Sequence, residues 1–350
     1  MRALVTGAAG YIGSRLVERL NKSGDEVVAL VRPGSSVSKL GNFNGRIIQA
    51  DLNKKQDVAD LREILRGIDC IYHLAAGTSG SHYEMFMNTV VATDNLLDCL
   101  QHCDVRRLVL VSSFSVYEMT CLSAAETLDE TCPLERNVRL RDSYTICKVR
   151  QEKLVREKCL ELRIPLVVIR PGKVYGPSDN PVFPQLGLRI PGMCFLVIGG
   201  NNILPLTHVS NCVDAIYLAG TVPGIENGVF NIVDDDLPTQ REYLRCYERI
   251  LPPIPRKVVV PFALFKLIAR FFESASVWTK GNIPPIISSY RAHNMWKNLR
   301  YDNSRAKSAL GWKPRVSTGE GIREMLMSLV EPLRNRQFSR NSPCTTCHLE

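Results

Sequence analysis

Six short apolar runs recur along the first half of the chain, each separated from the next by a stretch with helical spacing. RALVT (2–6), EVVALV (26–31), RIIQA (46–50), CIYHLA (70–75), RLVLVSS (107–113) and PLVVIRP (165–171) are rich in Val, Ile and Leu and continuously apolar. Runs of this kind suit strands buried on both faces of a parallel sheet. Between them, residues 12–23, 57–66, 83–102 and 143–162 read as helices; in MNTVVATDNLLDCLQHC the apolar positions return every three or four residues. Strand–helix alternation implies a doubly wound α/β sheet, whose ligands bind at the carboxyl ends of the strands.

Beyond about residue 176 the alternation breaks, and Pro and Gly become frequent in GPSDNPVFPQ, LPPIP and NIPPI. The expected organisation is a first domain over 1–176, a smaller substrate-binding region over 177–331 with segments returning to the sheet, and a disordered tail over 332–350. The 44 basic residues give a net charge of +9 but are scattered. That pattern suits anionic small ligands and argues against a nucleic-acid partner. No run approaches the roughly 20 apolar residues of a spanning helix, and MRALVTGAAG does not read as a secretory leader, so the expected location is the cytoplasm. Most of the twelve cysteines sit in apolar runs and are expected to be reduced. The terminal CTTCH (Cys344–His348) has haem-attachment spacing without any haem-enclosing context and is read as coincidence, so no metal is expected.

TGAAGYIG (6–13) follows the first strand and opens the first helix. Gly7 permits a tight turn, Gly10 lets backbone approach a pyrophosphate, and Gly13 allows close helix–sheet packing. The helix N-terminus then offers free N–H groups to phosphate. At the end of the second strand, where an acidic residue would bind the ribose hydroxyls of NAD, the chain carries Val31 and Arg32. An arginine there suits a 2′-phosphate, so NADP is preferred over NAD. Asp51, after the third strand, is placed to accept from the adenine amino group or to cap a helix.

In the order of the chain, TGAAGYIG, ADL, HLAA, VSSFSVY, YTICK, IRPGKVYGP, HVSNCVDAI, FNIV and LGWKP with GEGI run from residue 6 to residue 322. Together these pieces resemble the extended short-chain dehydrogenase/reductases, the NAD-dependent epimerase/dehydratase superfamily. The resemblance implies a Rossmann fold and an enzyme in which Tyr144 transfers a proton, Lys148 holds the ribose and tunes Tyr144, and Ser113 orients the substrate oxygen. It prefers Ser113 to Ser112 or Ser115, and leaves Tyr117 and Tyr175 as core or loop residues. It further implies cofactor contacts from Gly7, Gly10, Tyr11, Ile12, Gly13, Arg32, Asp51, Leu52, Leu74, Ala75, Ala76 and Pro171, and substrate contacts from Ser113, Lys173 and His208. A homodimer paired through the helices at 83–102 and 143–162 is also implied. One part of this follows from helix geometry: side chains at i and i+4 share a face, which puts Tyr144 beside Lys148.

The departures narrow the reading. Ser113-Phe114-Ser115 stands where dehydratases of this superfamily carry Thr-Asp-Glu; Leu204 and Pro205 stand where epimerases place a diphosphate-clamping arginine. Lys173 and Thr89 each occupy an asparagine position. These differences leave an oxidoreductase acting at a secondary alcohol or ketone carbon of a sugar-like or cyclic substrate, with a nucleotide-sugar epimerase as the alternative and a non-catalytic NADP-binding sensor behind both. VPFALFKLIARFFESA (260–275) is expected to form a lid or core helix over the substrate, or else an amphipathic membrane-surface helix.

Overall fold

A parallel sheet of seven strands forms the centre of the protein. The computed structural model describes residues 1–41, 43–101, 103–278 and 288–340. In chain order the strands are β1 (Arg2–Thr6), β2 (Glu26–Val31), β3 (Arg46–Gln49), β4 (Cys70–His73), β5 (Arg107–Val111), β6 (Leu166–Pro171) and β7 (Val229–Ile232). Their spatial order is β7-β6-β5-β4-β1-β2-β3. The chain builds outward from β1 to β3 and then crosses back to place β4 on the other side of β1, with Thr6 in register with His73. That reversal opens a crevice at the carboxyl ends of β1 and β4.

The strands read as continuous apolar runs because both faces of the sheet are covered. Ala3, Val5, Val27, Ala29, Val109, Val167 and Ile169 face one way, against Leu16, Val17 and Leu20 of α1 (Tyr11–Lys22) and Cys212, Val213 and Ile216 of a helix at Val209–Thr221. The alternate residues Leu4, Val28, Ile71, Leu108, Leu110 and Val168 face the other layer. There they meet α2 (Lys55–Leu65), α4 (Ala92–Asp98) and α5 (Ser143–Leu162), while the short α3 (His82–Phe86) buries none of its residues. A π-helical segment at Met87–Val91 joins α3 to α4. The helix at Val209–Thr221 is α6. Only β3 departs from the expected double burial: it is the sheet edge, and Arg46, Ile47 and Gln49 are exposed.

β7 and α6 lie beyond residue 176, so the sheet and its helical cover draw on chain from both sides of that position. Short strands at Leu188–Ile190, Cys194–Ile198 and Lys257–Val260 form a separate small sheet. It packs with α7 (Gln240–Ile250) through Phe195, Val197, Tyr243 and Leu244. α8 (Phe262–Trp278) buries Phe265 and Ala269 and exposes Leu264, Leu267, Ile268, Phe271 and Phe272. Next come α9 (Ser289–Trp296), α10 (Ser304–Leu310) and α11 (Thr318–Arg340). The last helix runs through 332–340, a segment expected to be disordered tail; the CTTCH sequence lies outside the described residues. No described helix is long and apolar enough to cross a membrane, and among the described residues no cluster of His, Cys, Asp and Glu could hold a metal ion.

Candidate active site

The turn after β1 is built on backbone geometry that side chains would block. Gly7 has φ +67°, a left-handed conformation that L-residues rarely adopt. Its carbonyl accepts from Gly10 N at 2.9 Å. A Cβ on Gly13 would sit 2.2 Å from that same oxygen, so α1 packs against the turn only with glycine there. Gly10 caps α1 without a side-chain hydrogen bond, which leaves the first N–H groups of the helix open to an anion. This cradle fits a dinucleotide pyrophosphate.

A cavity of about 1350 Å³ runs from the cradle along the carboxyl ends of the strands, large enough for a dinucleotide together with a second ligand. Gly7, Gly10, Tyr11, Ile12, Gly13, Arg32, Asp51, Leu52, Leu74, Ala75, Ala76 and Pro171 line its nucleotide half. Asp51 does not cap α2, whose N-cap is Lys54; its carboxylate instead accepts from Asn53 N at 3.0 Å. Arg32 is exposed and donates to Asn88 Oδ1 at 3.3 Å, with Ser35, Ser36 and Lys39 on the same wall. Neither Arg32 nor Lys39 pairs with a carboxylate among the described residues.

Ser113, Tyr144 and Lys148 border the same cavity. Successive residues at the end of β5 point to opposite sides. Ser112 Oγ is buried and donates to Glu152 at 2.6 Å, while the next side chain, Ser113, lies on the cavity wall with Tyr144, its Oγ accepting from Ser115 N at 3.1 Å. Burial pushes the Tyr144 phenol up, and the Ser113 hydroxyl opposes that shift. Ser115 also borders the cavity, and its Oγ is buried without a partner. Asp142 starts α5 as its N-cap, accepting from Thr145 N at 3.0 Å, which fixes the helix carrying Tyr144 and Lys148.

Lys148 is 3% exposed. Its Nζ donates to Val111 O at 2.7 Å and to Gln151 Oε1 at 2.6 Å. An ammonium has three donors, and one is left over for a ligand in the cavity. Burial brings its pKa down to about 8, and Glu152 partly offsets the shift.

A buried polar network supports this lysine, and reading the sequence did not find it. Gln151 Nε2 donates to Thr93 Oγ1 at 2.9 Å and to Ala75 O at 3.1 Å. His73 bridges Thr93 and Thr6, each at 2.8 Å. Burial, with repulsion from Lys148, lowers His73 to about 3, so the imidazole is neutral. Glu152 is the second anchor: besides Ser112, it accepts from Arg170 Nε at 3.1 Å and from Arg156 at 2.9 Å. The HLAA segment contains the histidine, but nothing in its spacing predicts contacts with Thr6 and Thr93, which come from other elements. Thr89, in an asparagine position of the superfamily, accepts from Gly77 N at 2.9 Å.

The structure does not bring every expected substrate contact to the cavity. His208 is 1% exposed and outside the lining, held edge-on to Tyr175 and 3.3 Å from Glu324, because α6 begins behind the cavity wall. Lys173 borders the cavity, but its charge is paired with Asp179 at 2.7 Å. Tyr117 and Tyr175 are buried, donating to Asn231 at 2.6 Å and Asp234 at 3.2 Å. No described residue of 260–275 lines the cavity; the wall there comes from Arg291, Asn294, Met295, Lys297 and Tyr301, so α8 is not a lid in this structure.

A phosphate cradle joined to a serine, a tyrosine and a lysine at the switch point of a parallel sheet defines a dinucleotide-binding protein of the Rossmann class. A profile described as the NAD dependent epimerase/dehydratase family matches residues 3–232, and the chain belongs to that family. The 3beta-hydroxysteroid-dehydrogenase/decarboxylase isoform 2 of Arabidopsis thaliana is 26% identical over 97% of this chain, which spans 64% of that protein's length. A 4-hydroxy-2-methyl-3-oxo-4-farnesyl-3,4-dihydroquinoline-1-oxide ketoreductase of Stigmatella aurantiaca is 27% identical, covering 92% of this chain and 95% of its own. Among solved structures, UDP-glucuronic acid 4-epimerase from Bacillus cereus in complex with NAD has the same fold, with a TM-score of 0.70 at 23% identity over 95% of this chain and 99% of that one.

Proposed function

We propose that this protein is a reductase or dehydrogenase that moves a hydride to or from a secondary alcohol or ketone carbon of a cyclic substrate. The observation that carries the reading is the Ser113–Tyr144–Lys148 set beside a substrate half lined by apolar groups: Phe114, Met119, Val182, Phe183, Leu204 and Met295. A bound nicotinamide would supply or accept the hydride at this site. In reduction, Ser113 would hold the carbonyl oxygen while the Tyr144 phenol donates its proton to it; in oxidation Tyr144 would take the alcohol proton. Lys148, charged below about pH 8, would favour the phenolate and bind ribose hydroxyls with its remaining donor. Steroid and quinoline ring systems in the names of two relatives agree with an apolar ring binder.

The second reading is a nucleotide-sugar epimerase that keeps its cofactor and returns the hydride to the opposite face. Arg141 and Arg291 on the cavity wall favour it, but Arg141 is already paired with Glu135 at 2.7 Å, and Lys173 with Asp179. The deciding experiment desalts the purified protein, assays retained NAD, and screens activated sugars and ring ketones with cofactor absorbance at 340 nm. Net cofactor turnover with ring ketones is expected. Tightly retained NAD, with sugar interconversion and no net turnover, would establish the epimerase instead.

The Arg32 wall supports NADP as the preferred cofactor. Arg32→Ala is expected to weaken NADP binding about tenfold or more and NAD binding little, as read by titration calorimetry; equal losses for both would count against a 2′-phosphate contact. The protein is further proposed to be a cytoplasmic homodimer, which light scattering checks. Peripheral membrane contact through 260–275 agrees with the exposed apolar stripe of α8, and co-sedimentation with anionic vesicles checks it.

A further inference from the structure

We propose that Cys121 and Cys132 form a reversible disulfide, making this loop of the cavity wall a thiol-oxidation site. The loop leaves β5 after Ser113, and two of its arms lie antiparallel: Glu135 N donates to Val116 O at 2.8 Å and Glu118 N to Pro133 O at 2.9 Å, with Tyr117 bridged to Leu134. Just past this paired base the two cysteine sulfurs face each other at 3.9 Å. A disulfide needs about 2.0 Å. The sulfurs are thus in van der Waals contact, and the paired backbone already holds their arms together.

The two thiols differ in the way a redox pair requires. Cys121 is exposed, whereas Cys132 is buried. Burial and the neighbouring Cys121 push the Cys132 thiol up to about 12, so it stays protonated while Cys121 meets the oxidant. The Lys297 ammonium donates to the carbonyls of Met119 and Leu122, on either side of Cys121. These bonds, with that of Cys121 Sγ to Glu118 O at 2.9 Å, fix the loop around the exposed thiol. Met119, two residues before Cys121, is part of the cavity wall. The bond would therefore couple the redox state of the loop to the shape of the cavity.

With a peroxide as oxidant, the Cys121 thiolate attacks one peroxide oxygen and the O–O bond breaks. The sulfur is oxidised by two electrons to a sulfenic acid, and the other oxygen leaves as hydroxide, which takes up from solvent the proton the Cys121 thiol had released and becomes water. The Cys132 sulfur then attacks the Cys121 sulfur; the S–S bond forms, and the sulfenic hydroxyl leaves as water with the Cys132 proton. A small dithiol reverses the change by exchange.

The test uses the full chain carrying Cys344→Ser and Cys347→Ser, so that the terminal pair does not contribute. The chain is titrated with hydrogen peroxide, blocked with N-ethylmaleimide and mapped by mass spectrometry. The expected result is a Cys121–Cys132 linked peptide, half-formed at a peroxide concentration at least tenfold below that oxidising any other cysteine and lost on adding dithiothreitol. The thermal midpoint should rise with the crosslink and return on reduction. Adding Cys121→Ser, an exposed change that spares the buried thiol, should leave Cys132 reduced at the same dose. Oxidation of Cys121 to sulfinic or sulfonic acid with Cys132 left free would overturn the proposal, as would a crosslink forming no faster than in urea-unfolded chain.

Discussion

Tyr144 and Lys148 are four residues apart on one helix, so their shared face was legible in five letters; Ser113 lies on another element, and only the family resemblance, not spacing, named it. Tyr144→Phe removes the hydroxyl and keeps the ring, and is expected to lower kcat about 100-fold or more with little change in cofactor affinity. Stopped-flow hydride transfer with an accepted ring ketone measures it, and a kcat within a few-fold of wild type would remove Tyr144 from the proton step. His73 gives a pH prediction. Its folded pKa of about 3 lies below the ordinary 6.5, so the unfolded chain takes up the proton first as pH falls. Its contribution to stability is therefore complete above pH 6.5 and is lost progressively from there to about pH 3. His73→Gln cannot titrate and should flatten the fall in urea-unfolding stability across that window. Parallel pH profiles in the two chains would show that another group is responsible.

At the scale of elements, α5 is tied to the sheet by the buried Glu152 carboxylate. Burial alone would raise that carboxyl, yet Arg170, Ser112 and Arg156 together hold it below the ordinary range. Glu152→Gln leaves the Arg170 guanidinium buried without its counter-charge. The expected loss is about 3–5 kcal/mol of unfolding free energy, measured by urea denaturation. Such a loss would show that the helix bearing Tyr144 and Lys148 is held in part by an ion pair. A change below about 1 kcal/mol would assign the anchoring to apolar packing through Val155 and Cys159 instead. The sequence carries the glutamate four residues after Lys148, but its partner Arg170 sits on β6, so the pair closes only when helix and strand meet. α8 shows the converse. Its apolar stripe was plain in the sequence, but spacing could not say whether the stripe faces the cavity; in the structure the exposed side chains Leu267 and Phe271 are away from it.

For the molecule as a whole, the sheet is not complete until the chain has passed the cavity and come back. β7 supplies the outer neighbour of β6, and α6 covers Val109 and Val167 beside α1. A fragment ending at residue 176 would expose the β6 edge and an uncovered apolar face. It is expected to be aggregated or unfolded by circular dichroism and size exclusion, while a fragment of residues 1–340 folds; a cooperative thermal transition in the shorter piece would make it an independent domain. The sequence alone determined what depends on local spacing: the strands buried on two faces, the glycine turn that Gly7 and Gly13 make possible, and the shared helical face of Tyr144 and Lys148. Only the tertiary structure decided what depends on pairs far apart in the chain. It turned Ser112 to Glu152, put His208 outside the cavity lining, paired Lys173 with Asp179, and selected Val229–Ile232 as the segment that returns to the sheet. Such contacts are set by how packed elements meet, and no periodicity within one element encodes the position of another.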